Sequence, residues 1–249
     1  MPVALPEGCT LVALARTGST NDEAKRLAAT GANDGTVVWA REQTAGRGRR
    51  GREWASPAGN LYFSVLLRPG KSPVESAQLS LVAAVALSDA IAAILPENAD
   101  LRCKWPNDVL VNGGKVAGIL LESAGAASGR MTDWVVVGCG VNIADHPVNT
   151  LYPATDLQVE GAATASVETV LALFLETFFG WRGRWMESGI EPVRAAWIAR
   201  AAGLGQEITV RLPNREIRGR FVDMDRDGAL LLEGPDGVRE TISAGDVFL

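Results

Sequence analysis

Arginine and glycine alternate in TAGRGRRGREW, residues 44–54, and this pattern points to anion chemistry. Arg47, Arg49, Arg50 and Arg52 carry planar, permanently charged donor forks that suit a phosphate or a carboxylate. Gly46, Gly48 and Gly51 let the backbone approach a ligand closely and hinge. These glycines also spell G-x-G-x-x-G, but a dinucleotide turn needs a strand running straight into it and a helix leaving it. Here EQTA separates the loop from the preceding apolar run, and Pro57 and Gly59 follow it, so no helix leaves. The stretch LLRPGKS, where an acidic ribose anchor would stand, supplies none. Gly70-Lys71-Ser72 looks like the end of a P-loop, yet Val65 stands where its first glycine belongs, and Gly114-Lys115 is followed by Val116 instead of Ser or Thr.

Two further clusters carry groups of the same kind. In KWPNDVLVNGGKVAGILLE, Trp105-Pro106 imposes an extended backbone, and Asn107 and Asp108 open a strand. Lys115 starts the returning arm and meets the Asp108 end only if the strands pair directly from the Asn112-Gly113-Gly114 turn. An Asx turn at Asn107-Asp108 and an exposed turn lysine are the plainer alternatives. In VVVGCGVN, Gly138 and Gly140 leave room for a flat ligand or for close backbone packing. Positive donors with little else suit phosphoryl or nucleotidyl transfer, in which the protein positions groups and stabilises charge. His146 is the sole histidine, with no nucleophile motif beside it, and no Cys/His cluster or H-E-x-x-H is present. A Ser-His-Asp mechanism is therefore disfavoured and no metal site is expected. The net charge of −5, from 24 basic and 29 acidic side chains, opposes a nucleic-acid partner.

The positioning elements follow from local pattern. Thr20 and Glu23 read as the N-cap and capping-box partner of a helix that Gly31 ends. TVVWAR at 36–41 and NLYFSVLLRP are strands. Ser72, Pro73 and Glu75 open one long apolar helix that Pro96 stops, interrupted by Ser88 and Asp89 and so short of a membrane span. LRCKW, DVLVN and KVAGILLE are strands, the last two joined as a hairpin, and DWVVVGCG is a buried strand. Helices are expected over 166–180 and from Pro192 to Ala202. After Gly203 short strands alternate with turn residues, as in a small β-barrel. This divides the chain at 1–202 and 203–249. Cys9, Cys103 and Cys139 have no C-x-x-C spacing, and MPVALPEGCT lacks the features of a secretory signal, which together point to the cytoplasm.

STN at 19–21, QTAGRGRRGREW at 43–54, KWPNDV at 104–109, GKVAGILLE at 114–122 and GCGVN at 138–142 occur in the order seen in biotin protein ligases. The chain resembles that family from about residue 15 to its end. The resemblance implies an α+β fold: a class II aminoacyl-tRNA synthetase-like mixed β-sheet with flanking helices, plus a small C-terminal SH3-like β-barrel. It implies activation of biotin by MgATP to biotinyl-5′-adenylate, then transfer to a lysine of a biotin carboxyl carrier protein or domain. Ser19, Thr20, Asn21, Gln43, Gly46, Arg47, Gly48, Arg49, Lys115, Gly138 and Gly140 would then hold biotin. Arg49, Arg52, Trp54, Asn107, Lys115 and Asn142 would hold the nucleotide, with loop 44–54 ordering around the adenylate. Lys115 and Arg47 would serve catalysis. Asp108, by its place in the motif, is the candidate for holding or deprotonating the acceptor amine. Family members that repress transcription carry an N-terminal winged helix, for which about 15 residues before the first motif are too few. A lipoate–protein ligase of the same fold is the nearest alternative, a nucleic-acid-binding module the more distant one. No membrane partner is expected, and a homodimer is left open.

Overall fold

The computed structural model describes residues 3–125, 130–148, 150 and 152–249. Strands β1 (Thr10–Thr17), β2 (Thr36–Gln43), β3 (Leu61–Leu67), β4 (Leu101–Lys104), β5 (Asp108–Val111), β6 (Gly114–Gly125) and β7 (Thr132–Val141) form one sheet in the order β1-β2-β3-β7-β6-β5-β4. Only β1 and β2 run parallel; the other pairs are antiparallel. Side chains alternate across a strand, so Val37, Val65, Val135 and Val137 face one layer while Val38, Leu66 and Val136 face the other. The second layer is α1 (Thr20–Ala29), which packs through Ala24 and Ala28. The first holds α2 (Pro73–Ala77), α3 (Leu79–Ala92) and α4 (Val167–Ser188). Covered on both faces, β3 reads as a continuous apolar run in place of a period-2 pattern.

The capping box at Ser72 and Glu75 is present in both directions. The single helix expected there has its hydrogen-bond ladder broken at Gln78, although Gln78 keeps helical angles, and it ends at Ala92, before Pro96. By length and composition alone Pro73–Ala92 would pass for a membrane span, despite Ser88 and Asp89. Its most apolar window is 72% buried within this fold, which makes it a core helix. Helix α4 runs eight residues beyond the expected end, to a Gly189 at φ 72°, and α5 (Glu191–Ile198) stops four short. Thr20 is not an N-cap. Ser19 takes that position with an extended backbone and no side-chain cap, and Glu23 turns to Arg26.

The chain ends in a five-stranded antiparallel sheet of β8 (Glu207–Arg211), β9 (Glu216–Met224), β10 (Leu230–Glu233), β11 (Arg239–Ile242) and β12 (Asp246–Phe248), in the order β11-β10-β9-β8-β12. Its inner residues Ile208, Val210, Phe221, Leu230 and Val247 belong to the same hydrophobic cluster as α3 and α4. Polar seams join it to the larger sheet: Trp105 Nε1 donates to Gly228 O at 2.9 Å, and Arg194 of α5 donates to Met224 O at 2.6 Å. The whole is the α+β architecture expected, a mixed sheet between helices with a smaller β unit beside it.

Candidate active site

A cavity of about 480 Å³ opens between the start of α1, the arginine loop, strands β4 to β7 and the beginning of β12. All the expected site residues line it except Gly46. Gly46 is an internal brace: a Cβ there would lie 2.5 Å from both Trp54 O and Ser56 Oγ.

One end is a closed hydrogen-bond network. Gln43 Oε1 accepts from Thr20 N at 2.8 Å and from Thr20 Oγ1 at 3.1 Å, while Gln43 Nε2 donates to Ser56 Oγ at 3.0 Å. Ser64 Oγ donates to Asn21 Oδ1 at 2.6 Å, and Asn21 Nδ2 donates to Glu122 Oε2 at 2.7 Å. Lys25 Nζ closes the chain on Glu122 Oε1, also at 2.7 Å. Thr20, Asn21, Ser56 and Ser64 are buried, where an unpaired polar atom costs about 1–3 kcal/mol, so each fixes its neighbour, while Gln43, Lys25 and Glu122 are half-buried. Gly138 exists for this network: a Cβ there would fall 2.0 Å from Asn21 Oδ1.

The arginine loop is a folded hairpin. Arg47 and Glu53 bridge, Gly48 N donates to Arg52 O at 2.7 Å, and Trp54 N donates to Gly46 O at 3.0 Å. Its tip is a 3-10 turn over Arg49–Gly51, with Arg50 at φ 55° and Gly51 at φ 71°. The guanidinium of Arg47 grips Asp22 at 2.7 and 2.6 Å, which brings that carboxyl's pKa down to about 2. Arg49 donates to Asn107 Oδ1 and Gly245 O, and its burial lowers its pKa. Arg50 and Arg52 both reach Asp246 of β12, at 3.2 and 2.8 Å.

Trp54 follows the hairpin and lies over the glycine floor. A Cβ on Gly140 would sit 2.5 Å from the indole, and one on Gly118 would sit 3.0 Å from it. The room that the two glycines of GCG leave is therefore filled from within the chain, by Asn21 and Trp54. The indole Nε1 is buried without a partner among the described residues.

On the opposite wall the hairpin of β5 and β6 turns at Asn112 (φ 48°) and Gly113 (φ 83°), the left-handed pair that a tight turn requires. The strands pair directly from it, Val111 with Gly114 and Leu110 with Lys115, and a bulge follows. Lys115 Nζ thereby arrives 2.6 Å from Asp108 Oδ1. Asn107 Nδ2 donates to Ile119 O, and Asn142 Nδ2 donates to Thr155 O at 3.0 Å. Both amides touch the cavity while holding backbone.

Lys104, Tyr152, Asp246 and Val247 also line the cavity and were not anticipated. Lys104 stands inside the quoted KWPND motif, so a signal existed. Asp246 lies on a three-residue strand too short to read as a strand at all. His146 is outside the cavity, its Nδ1 2.7 Å from Asp156 Oδ2. Among the described residues no three His, Cys, Asp or Glu side chains gather as a metal site.

The chain has known relatives. The model of the biotin/lipoate A/B protein ligase family matches residues 13–142, and that of the biotin protein ligase C terminal domain matches residues 203–249. A biotin--[acetyl-CoA-carboxylase] ligase of Paracoccus denitrificans is 47% identical over 94% of this chain and 98% of its own length. One of Mycobacterium tuberculosis is 36% identical, over 94% of this chain and 86% of its own. The biotin protein ligase of Aquifex aeolicus, solved with biotin and ATP, superposes with a TM-score of 0.78 at 29% identity, covering 96% of this chain and 97% of its own. That of Leishmania major, solved with biotinyl-5-AMP, gives 0.68 at 27% identity, covering 96% of this chain and all of its own. With both of its units matched and a relative of nearly equal length, the chain belongs to the biotin/lipoate A/B protein ligase family, on its biotin protein ligase branch.

Proposed function

We propose that this enzyme activates biotin with ATP to biotinyl-5′-adenylate, with release of pyrophosphate. It then transfers the biotinyl group to a lysine of a biotin carboxyl carrier protein or domain. The observation that carries the reading is the single cavity that unites the Gln43–Thr20–Asn21 network, the arginine hairpin and the Lys115–Asp108 pair. A biotin carboxyl group is ionised at neutral pH, so its attack on the α-phosphorus needs no base. It needs two anions held together in a partly dry site, which is work for a fixed cation. Lys115 is that cation in this reading, supported by its position in the cavity wall. Asp108 neutralises it at 2.6 Å, and an arriving carboxylate and phosphate would compete for the ammonium and free Asp108.

The second step reverses the demand. The acceptor amine, with an ordinary pKa of about 10.4, must lose a proton before it attacks the acyl carbon of the adenylate. In this reading Asp108, released from Lys115, holds that amine and takes the proton as AMP leaves. Ser19, Thr20, Asn21 and Gln43, with Gly46 bracing and Gly48 and Gly138 making room, form the biotin end in this reading. Arg47 leaves Asp22 to meet the acyl group. Arg49, Arg52, Trp54, Asn107 and Asn142 surround the adenylate. Magnesium arrives with ATP as part of the substrate. We place the enzyme in the cytoplasm and divide it into a catalytic unit, 1–202, and a C-terminal unit, 203–249.

The test is ATP–pyrophosphate exchange measured with biotin and, separately, with lipoate. Biotin-dependent exchange is expected. Exchange with lipoate alone would move the enzyme to the sister activity, and exchange with neither overturns the reading.

A further inference from the structure

Five cationic side chains line the cavity: Arg47, Arg49, Arg52, Lys104 and Lys115. Four of them are engaged, by Asp22, by Asn107 and Gly245 O, by Asp246 and by Asp108. Lys104 alone makes neither a side-chain hydrogen bond nor an ion pair among the described residues. It is also 93% buried, the residue retaining only 7% of its exposure. Its Nζ rests 3.9 Å from the centroid of the Tyr152 ring, and the Tyr152 hydroxyl is itself buried without a partner among the described residues. Burial pulls the ammonium's pKa below the usual lysine value, with Asp108 and Asp246 opposing and Lys115 and Arg52 reinforcing that shift. An unpaired ammonium on an otherwise buried side chain, open to the cavity, is where an arriving charged group would be met.

The sheet order says what comes. Asn21 lies against Gly138 of β7, Lys115 is on β6, Asp108 on β5 and Lys104 at the end of β4, paired in register with Asp108. Across the cavity the order is thus uncharged polar network, reacting pair, lone cation. If biotin lies by the first and its carboxylate meets the α-phosphorus at the second, then the third faces what leaves. The adenosine half of the nucleotide carries no charge that would call for a buried ammonium, whereas the β- and γ-phosphates do.

Resting on the reading above, we propose that Lys104 grips the β- and γ-phosphates of ATP and takes up the charge that develops on departing pyrophosphate. In that step the carboxylate oxygen bonds to the α-phosphorus, and the α-phosphorus–bridging-oxygen bond breaks. Its electron pair leaves on pyrophosphate. The Tyr152 hydroxyl donates to the same group, and its ring supports the ammonium between turnovers.

Lys104→Met keeps the apolar stem and removes the charge. In the full-length enzyme it is expected to slow single-turnover formation of biotinyl-5′-adenylate by about 100-fold. It should also raise KM for ATP and weaken product inhibition by added pyrophosphate. Transfer of biotin from supplied biotinyl-5′-adenylate to an acceptor domain should stay at the wild-type rate. Lys104→Arg should recover part of the first step. Tyr152→Phe, which leaves the core untouched, should weaken pyrophosphate inhibition on its own and covers the case in which Lys104→Met fails to fold. Wild-type adenylate formation in Lys104→Met, equal slowing of both steps, or unchanged pyrophosphate inhibition in Tyr152→Phe would each overturn the assignment. A wild-type enzyme that makes no biotinyl-adenylate would instead overturn the functional reading beneath it.

Discussion

Lys115 and Asp108, 2.6 Å apart, show how the site keeps two opposite charges ready without leaving either bare. Removing one partner of such a pair strands the other, so single substitutions here report more than the lost contact. Asp108→Asn keeps the shape and removes the base. It is expected to slow transfer from supplied adenylate by about 100-fold or more, while adenylate formation falls far less. Stopped-flow or quench measurements of each step separately check this, and equal losses would reduce Asp108 to a holder of Lys115. At this scale the sequence was most informative where residue type dictates chemistry, as with the arginines and Lys115, whereas Gln43 entered only through the resemblance. It was least informative about occupancy. Gly138 and Gly140 read correctly as places of close approach, but nothing local says that Asn21 and Trp54 are what approach, because those contacts join residues 86 to 117 positions apart. A lysine beside a Trp-Pro step, such as Lys104, looks like framing until its burial is known.

Among the elements, the arginine hairpin and β12 are coupled through one carboxylate. Asp246 collects Arg50 and Arg52, and the carbonyl before it accepts from Arg49. Both arginines are well exposed, so the pairs contribute little to global stability, about 0–1 kcal/mol. Their effect is local: they hold the hairpin tip down. Asp246→Ala is expected to leave the melting temperature nearly unchanged and to speed tryptic cleavage at Arg50 and Arg52, relieved by ATP with biotin. A KM for ATP raised several-fold should accompany it. Cleavage as slow as in the wild type would mean the hairpin stands without its latch. The elements that sequence pattern located well were those with their own signals: the Ser72–Glu75 capping box and the Asn112-Gly113 turn. Strand β1 escaped because it is a half-exposed edge with no clean alternation, and the Thr20 cap was misassigned because the hydroxyl serves Gln43 instead of its own helix.

For the whole molecule, a shift in residue texture at Gly203 reads as a boundary, yet the hydrophobic cluster runs across it. Phe221, Leu230 and Val247 are packed into the same core as α3 and α4, and Trp105 is tied to Gly228. Calorimetry of the intact chain is therefore expected to show one cooperative transition, with calorimetric and van't Hoff enthalpies agreeing. Two resolved transitions would mean the smaller sheet melts by itself. Sequence marks where composition changes; it does not mark which apolar faces find each other, which is why the short antiparallel strands were legible and their docking was not.

The indole resting on Gly118 and Gly140 has a thermodynamic consequence for whatever binds there. The indole and the two glycines line the cavity together, so a flat ligand meets an aromatic face there. Part of the apolar floor is already out of water before any ligand arrives, and the heat-capacity change on binding should be smaller than a bare glycine floor would give.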